Sequence, residues 1–120
     1  NKVKETGNDK VLLTERGNMF GYGDMVVDYR NLVWMKEMGY PTVMDVTHSL
    51  QQPNNGSGVT GGLPQLIEPM AKAAVAIGVS GLFIETHPDP ASALSDGANM
   101  LPLHKMEELL IKLLRLRESL

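Results

Sequence analysis

Three short apolar runs stand out in the pattern of hydrophobic and polar positions along the chain. Each run has the length of a buried strand, and each follows a turn signal rich in Gly, Asn, Asp, Ser or Pro. We therefore expect strands at residues 10–14, 42–47 and 82–86.

Helical patterns lie between and after these runs, with apolar residues recurring at helical spacing, at residues 31–38, 63–77 and 104–120. Strands that alternate with helices pair in parallel through crossover connections. The order predicts an α/β fold, either an open sheet or part of a (β/α)8 barrel. Because no repeat or composition change divides the chain, residues 1–120 are expected to form a single segment of one domain.

The loops that leave the predicted strands differ from those that enter them. The entering loops are short, whereas the exit loops at residues 15–28, 48–62 and 87–102 are long, polar and rich in glycine. Functional sites of α/β folds lie at the carboxyl ends of the strands. The asymmetry predicts that all three exit loops contribute to one site.

Each predicted buried strand has at its exit a residue that is ionised or can be ionised: Arg16, His48 and Glu85. Counting along the strand places His48 on the face of Met44 and Val46. We expect the three polar side chains to point into one interior, where the arginine fork suits a phosphate or a carboxylate group.

Two interpretations of the histidine are open. With Asp96 of the next loop, His48 and Glu85 offer one imidazole and two carboxylates to a divalent cation such as Mn2+, Fe2+ or Zn2+. In the other interpretation, His48 is a core histidine hydrogen-bonded to Glu85, and Asp96 caps the turn at Gly97. The chain has no Cys, so any metal held by it has nitrogen and oxygen ligands.

Composition and charge narrow the classes of partner. Eleven Lys and Arg against 14 Asp and Glu give a formal charge of -3, which favours neither nucleic acid nor an anionic membrane surface as a partner. No apolar stretch reaches the length of a membrane span, and the first residues lack the apolar core of a signal peptide. We expect a soluble, cytoplasmic protein whose chain begins in the middle of an element.

The strand exits together resemble one enzyme family. The segments that carry the resemblance are TERGNMFGYGDMVVDYR (14–30), DVTHSLQ (45–51), TGG (60–62), GLFIETHPDP (81–90) and ALSDGANMLPL (93–103). They are similar, over essentially all 120 residues, to the C-terminal portion of the 3-deoxy-D-manno-octulosonate 8-phosphate (Kdo-8-phosphate) synthase family. The resemblance implies about the last three β/α units of a (β/α)8 barrel.

The resemblance also implies substrate contacts. Arg16 matches the arginine that binds phosphoenolpyruvate, and Asn18, Phe20 and Tyr22 belong to the same motif. Gln51 matches a residue near the arabinose hydroxyls, and Thr60 lies in the glycine-rich segment 53–62, interpreted as a lid that meets the sugar phosphate. A glycine-rich loop alone indicates no more than a flexible surface loop. The arginine that often follows the double glycine in this family is replaced by Leu63.

For the remaining residues the resemblance implies catalysis and metal binding. His48 and Asp96 match catalytic positions, and His48, Glu85 and Asp96 match the cation ligands of metal-dependent members. The fourth ligand position, Cys in metal-dependent and Asn in metal-independent members, lies on the first barrel strand, outside the resemblance. The three residues occur in both subclasses, so metal dependence stays undecided.

The implied activity is the condensation of phosphoenolpyruvate with arabinose 5-phosphate in lipopolysaccharide precursor synthesis, by a cytoplasmic homotetramer. One alternative is the related seven-carbon synthase, which uses erythrose 4-phosphate. A distant alternative is a stand-alone α/β binding module such as a receiver domain. That module would carry an acidic cluster at the first strand exit, where the chain has Glu15-Arg16-Gly17.

Overall fold

The structure is a computed structural model that describes residues 2–21, 23–53, 56 and 60–120. Tyr22 and part of the glycine-rich segment 53–62 lie outside the described residues. The strands are β1 Leu13–Glu15, β2 Asn18–Gly21, β3 Asp24–Val26, β4 Thr42–Asp45, β5 Gln51–Gln52, β6 Gly61–Gly62, β7 Gly81–Phe83, β8 Thr86–His87 and β9 Leu101–Pro102. The α-helices are α1 Arg30–Glu37, α2 Ile67–Ile77 and α3 Met106–Glu118. Short 3-10 helices lie at Lys4–Thr6, His48–Leu50, Pro64–Leu66, Pro90–Ser92, Gly97–Asn99 and Leu103–Lys105.

The three predicted strands form one parallel sheet in the order β1-β4-β7, so the α/β prediction is confirmed. The second and third strands end earlier than predicted, for the same physical reason. The N–H groups of Thr47 and His48 donate to the Asp45 carboxylate, and that of Glu85 donates to the Thr47 hydroxyl. These backbone N–H groups donate to side chains and not to a neighbouring strand, so the ladder of hydrogen bonds between the strands ends here.

One face of the sheet packs on the helices. Met44 and Val46 are completely buried there. They pack in a core with Leu32 of α1, Ile67, Ala71 and Ala74 of α2, and Leu109 and Leu113 of α3. The three predicted helices are confirmed, although α2 and α3 begin later than predicted because each is preceded by a 3-10 turn.

The other face carries the polar residues. The parallel register pairs Asp45 with Phe83, so both side chains lie on this face, and Phe83 is 46% exposed. The expectation that His48 shares the face of Met44 and Val46 is wrong. Strand β4 ends at Asp45 and His48 lies in a 3-10 helix, which carries its ring over Phe83 at a centroid distance of 5.6 Å.

The exit loops contain short strand pairs that the hydrophobic pattern does not indicate. Strands β2 and β3 form an antiparallel hairpin, β5 pairs with β6, and β8 pairs in parallel with β9. The β5–β6 pair joins two glutamines to two glycines and so has no apolar alternation. None of the described helices has the length and apolar character needed to span a bilayer.

Gly62 of β6 packs against the loop that follows β8. A Cβ atom at this position would overlap the Asn99 side chain and would lie 2.6 Å from the Ala98 carbonyl oxygen. Asn99 is completely buried and donates its Nδ2 to the Gly61 carbonyl at 3.3 Å. The downstream end of the glycine-rich segment is therefore attached to the loop that carries Asp96.

Candidate functional site

The centre of the site is the His48 imidazole, which has a carboxylate on each side. Its Nδ1 lies 2.9 Å from Asp45 Oδ2, and its Nε2 lies 3.3 Å from Glu85 Oε2 and 3.9 Å from Asp96 Oδ2. The His48 side chain is 17% exposed, so the cluster opens to solvent on one side.

The segment directly after β4 determines where His48 points. Asp45 Oδ1 accepts hydrogen bonds from the backbone N–H groups of Thr47 and His48 at 3.0 and 2.8 Å, while Oδ2 contacts the imidazole. An aspartate that accepts the N–H two residues later makes a tight local turn. The turn places His48 beside the carboxylate of its own segment.

Glu85 is fixed by the same segment. Its backbone N–H donates to the Thr47 hydroxyl at 2.7 Å, and Thr47 is completely buried. Thr47 thus joins the exits of β4 and β7, and the Glu85 carboxylate reaches His48 Nε2 from the exit of the neighbouring strand.

Asp96 reaches the cluster from the loop before β9. Its backbone has a φ of 53°, in the left-handed region, and its Oδ1 accepts a hydrogen bond from Gln51 Nε2 at 3.0 Å. The interpretation in which Asp96 caps its own turn is wrong, because the side chain makes no cap hydrogen bond.

Gln51 connects the cluster to Arg16. Its Oε1 accepts a hydrogen bond from Arg16 Nη2 at 3.2 Å while its Nε2 donates to Asp96. All three exit loops therefore meet in one hydrogen-bonded series: Arg16 from the first, Gln51 from the second and Asp96 from the third. Arg16 is exposed, and its bond to Gln51 uses one of the donors of the guanidinium group.

Two further predicted residues lie at the edge of this series. Asn18 begins β2, is exposed and pairs with Val26 of β3. Thr60 is half-buried and directly precedes β6, whose partner strand contains Gln51. Their substrate contacts stay predictions.

His48, Glu85 and Asp96 are chemically suited to a divalent cation. Each offers one ligand atom, and the three atoms lie within 4.8 Å of one another. Because Asp45 contacts Nδ1, the imidazole turns Nε2 toward the two carboxylates. One nitrogen and two oxygens fit Mn2+, Fe2+ or Zn2+ and leave coordination positions for substrate or water.

Sequence reasoning missed Asp45 and Thr47. Strand alternation assigned both to a longer strand, although both side chains make the hydrogen bonds that end it. The available signal was the Asp-Val-Thr sequence after an apolar run, because Asp and Thr side chains commonly accept backbone N–H groups at such ends.

The chain is similar in sequence to a known protein family and to individual known proteins. The sequence model of the DAHP synthetase I family matches residues 1–120. The chain is 54% identical to a 2-dehydro-3-deoxyphosphooctonate aldolase of Legionella pneumophila over 91% of its own length and 40% of that protein. It is also 54% identical to one of Brucella ovis over 94% of its length and 41% of that protein.

A solved structure is similar as well. It is the phospho-2-dehydro-3-deoxyheptonate aldolase (DAHP synthase) of Thermotoga maritima, with a TM-score of 0.80 and 28% identity. The match covers 98% of this chain and 32% of that chain. The fold is therefore part of a (β/α)8 barrel, and the chain spans about 40% of the length of the curated relatives it matches.

We predict that Thr47→Val lowers the free energy of unfolding by about 1–3 kcal/mol, because the partly buried N–H of Glu85 loses its acceptor, the completely buried Thr47 hydroxyl. Chemical denaturation measures the change. Thr42→Val is the matched control: Thr42, at the start of β4, is also buried, but its hydroxyl has only a 3.5 Å contact with the Tyr40 carbonyl. Equal costs for the two variants would contradict the assigned role of Thr47.

Proposed function

The chain belongs to the DAHP synthetase I family, and from that premise we propose that it is part of a Kdo-8-phosphate synthase. The enzyme would condense phosphoenolpyruvate with D-arabinose 5-phosphate and water to give 3-deoxy-D-manno-octulosonate 8-phosphate and phosphate. The similar aldolases of Legionella and Brucella support this choice of product.

One observation carries the proposal: the hydrogen-bonded series from Arg16 through Gln51 to Asp96, which ends beside His48. It joins an exposed guanidinium, suited to an anionic phosphate or carboxylate, to a cluster that can bind and orient polar oxygens. A condensation between an anionic enol and an aldehyde needs these two features side by side.

The reaction assigns a task to each group. C3 of phosphoenolpyruvate forms a bond to the aldose aldehyde carbon, whose oxygen takes up a proton, while water adds to C2 and gives up a proton. The resulting hemiketal phosphate loses phosphate by C–O cleavage. Arg16 would hold the phosphoenolpyruvate, and His48 and Asp96 would orient the water and the aldehyde.

The other substrate contacts follow from position. Asn18 would assist Arg16, Gln51 would meet the arabinose hydroxyls, and Thr60 would contact the sugar phosphate at the end of the glycine-rich segment. Leu63, in place of the family's usual arginine, would leave the sugar phosphate with one cationic contact fewer.

The cation remains part of the proposal. His48, Glu85 and Asp96 would hold Mn2+, Fe2+ or Zn2+ if the first barrel strand contributes the Cys of metal-dependent members. When bound, the ion would supply Lewis-acid polarisation of a substrate oxygen. With Asn at that position, the same side chains would bind water and substrate directly.

The seven-carbon synthase is the second candidate, favoured by the structural similarity to the Thermotoga enzyme. The 54% identity to the eight-carbon enzymes against 28% to that structure favours arabinose 5-phosphate. A stand-alone binding module has no such support. We further propose a homotetramer acting in the cytoplasm, in lipopolysaccharide precursor synthesis.

We predict that a polypeptide containing the whole barrel uses arabinose 5-phosphate at least tenfold better than erythrose 4-phosphate. The measurement is kcat/KM for each aldose at saturating phosphoenolpyruvate, with the rate of reaction monitored as the release of phosphate. A preference for erythrose 4-phosphate would transfer the assignment to the seven-carbon reaction. Release of phosphate with neither aldose would contradict the synthase proposal itself.

Arg16→Lys should remove most of the activity without changing the fold, because a point charge does not replace a planar fork on an anionic substrate. Arg30→Lys is the matched control, since Arg30 is an exposed arginine that pairs with Asp28 at the start of α1. If turnover and the KM for phosphoenolpyruvate both stay within a factor of about two, or about 0.4 kcal/mol, Arg16 does not bind it.

For the cation, we predict that Asp96→Asn weakens Mn2+ binding at least tenfold in calorimetric titration of the whole-barrel protein. Asp89→Asn, in the same exit loop but outside the cluster, should bind like the parent protein. Chelators should abolish activity only where the first strand contributes Cys. A parent protein with that Cys and no bound cation would exclude the metal site.

A further inference from the structure

We infer that Asp45 is a positioning residue that selects the tautomer of His48, holding the imidazole proton on Nδ1 and leaving the Nε2 lone pair free. The inference concerns the site of the proposed function. It rests on that function only for the role of Nε2, which is to bind a cation or water. A cation needs the Nε2 lone pair, and so does a water molecule that donates to the ring the proton it gives up as it adds to C2.

The hydrogen bonds to Asp45 support this role. One of its oxygens is taken by two backbone donors, the N–H groups of Thr47 and His48, and the other faces His48 Nδ1 at 2.9 Å. Asp45 is 4% exposed, so its charge is compensated by these donors and not by bulk water. An ionised carboxylate is only an acceptor, so the imidazole must donate through Nδ1.

The competing tautomer would place the proton on Nε2, pointing at Glu85. That contact is longer, 3.3 Å against 2.9 Å, and the Glu85 side chain is 30% exposed whereas that of Asp45 is 6% exposed. A short bond to a buried carboxylate outweighs a longer one to a carboxylate that water also solvates. The neutral ring therefore carries its proton on the Asp45 side.

The substitution Asp45→Asn should reverse the tautomer with little change of shape. The two backbone N–H groups hold the amide oxygen in the place of Oδ1, so the amide NH2 faces His48 Nδ1. An NH2 group donates and does not accept, and Nδ1 then becomes the acceptor. The proton moves to Nε2, whose lone pair is lost to the site.

Imidazole nitrogen NMR of the whole-barrel protein, labelled with [15N]histidine, tests the inference. The spectrum is taken without metal, at a pH where the ring is neutral. The signals of His48 are those that are absent from the spectrum of His48→Gln. We expect protonated Nδ1 in the parent and protonated Nε2 in Asp45→Asn. Zn2+ affinity, measured by competition with a chromophoric chelator, should fall about 10- to 100-fold in Asp45→Asn.

Asp28→Asn is the matched control, because Asp28 also accepts a backbone N–H two residues later but lies at the exposed start of α1. It should change neither the tautomer nor the Zn2+ affinity. A protonated Nε2 in the parent overturns the inference, even if Asp45→Asn fails to fold, and so does a protonated Nδ1 in Asp45→Asn. A parent with protonated Nδ1 that binds no Zn2+ supports the inference and removes only the cation from the proposed function.

Discussion

The site depends on a carboxylate buried at the end of the central strand. Asp45 lies where β4, paired on both sides, leaves the sheet, and its charge is stable there only because nearby donors turn toward it. Two of those donors are backbone N–H groups of the following turn, which share one carboxylate oxygen. The other oxygen faces Nδ1 of the His48 imidazole. The requirement to compensate one buried charge thus ends the strand, forms the turn and orients the histidine.

The turn after β4 then organises its neighbours. Thr47 holds the exit of β7 through the backbone of Glu85, and Gln51 joins Arg16 of the first exit loop to Asp96 of the third. Parallel strands bring their carboxyl ends to one edge of a sheet, but this alone leaves the loops several ångströms apart. Side-chain hydrogen bonds from the middle loop bring the loops into a common site.

The sequence predicted the fold class and the grouping of His48, Glu85 and Asp96, because apolar runs, helical spacing and family motifs are local signals. It did not predict how His48 reaches the cluster. Alternation assumes that the strand continues, whereas the Asp45 carboxylate stops it with hydrogen bonds that no periodicity records. The β5–β6 pair was missed for a related reason, since it consists of Gln and Gly and buries no apolar stripe.

The contact between Gly62 and Asn99 also limits how this part of the barrel can diversify. No side chain fits at residue 62, and the buried Asn99 leaves no room for a larger one at its own position. A change at one of these positions therefore requires a compensating change at the other. Changes of chain length in this part of the barrel should therefore spare the junction at the double glycine, whose contact with the Asn99 loop keeps its length constant.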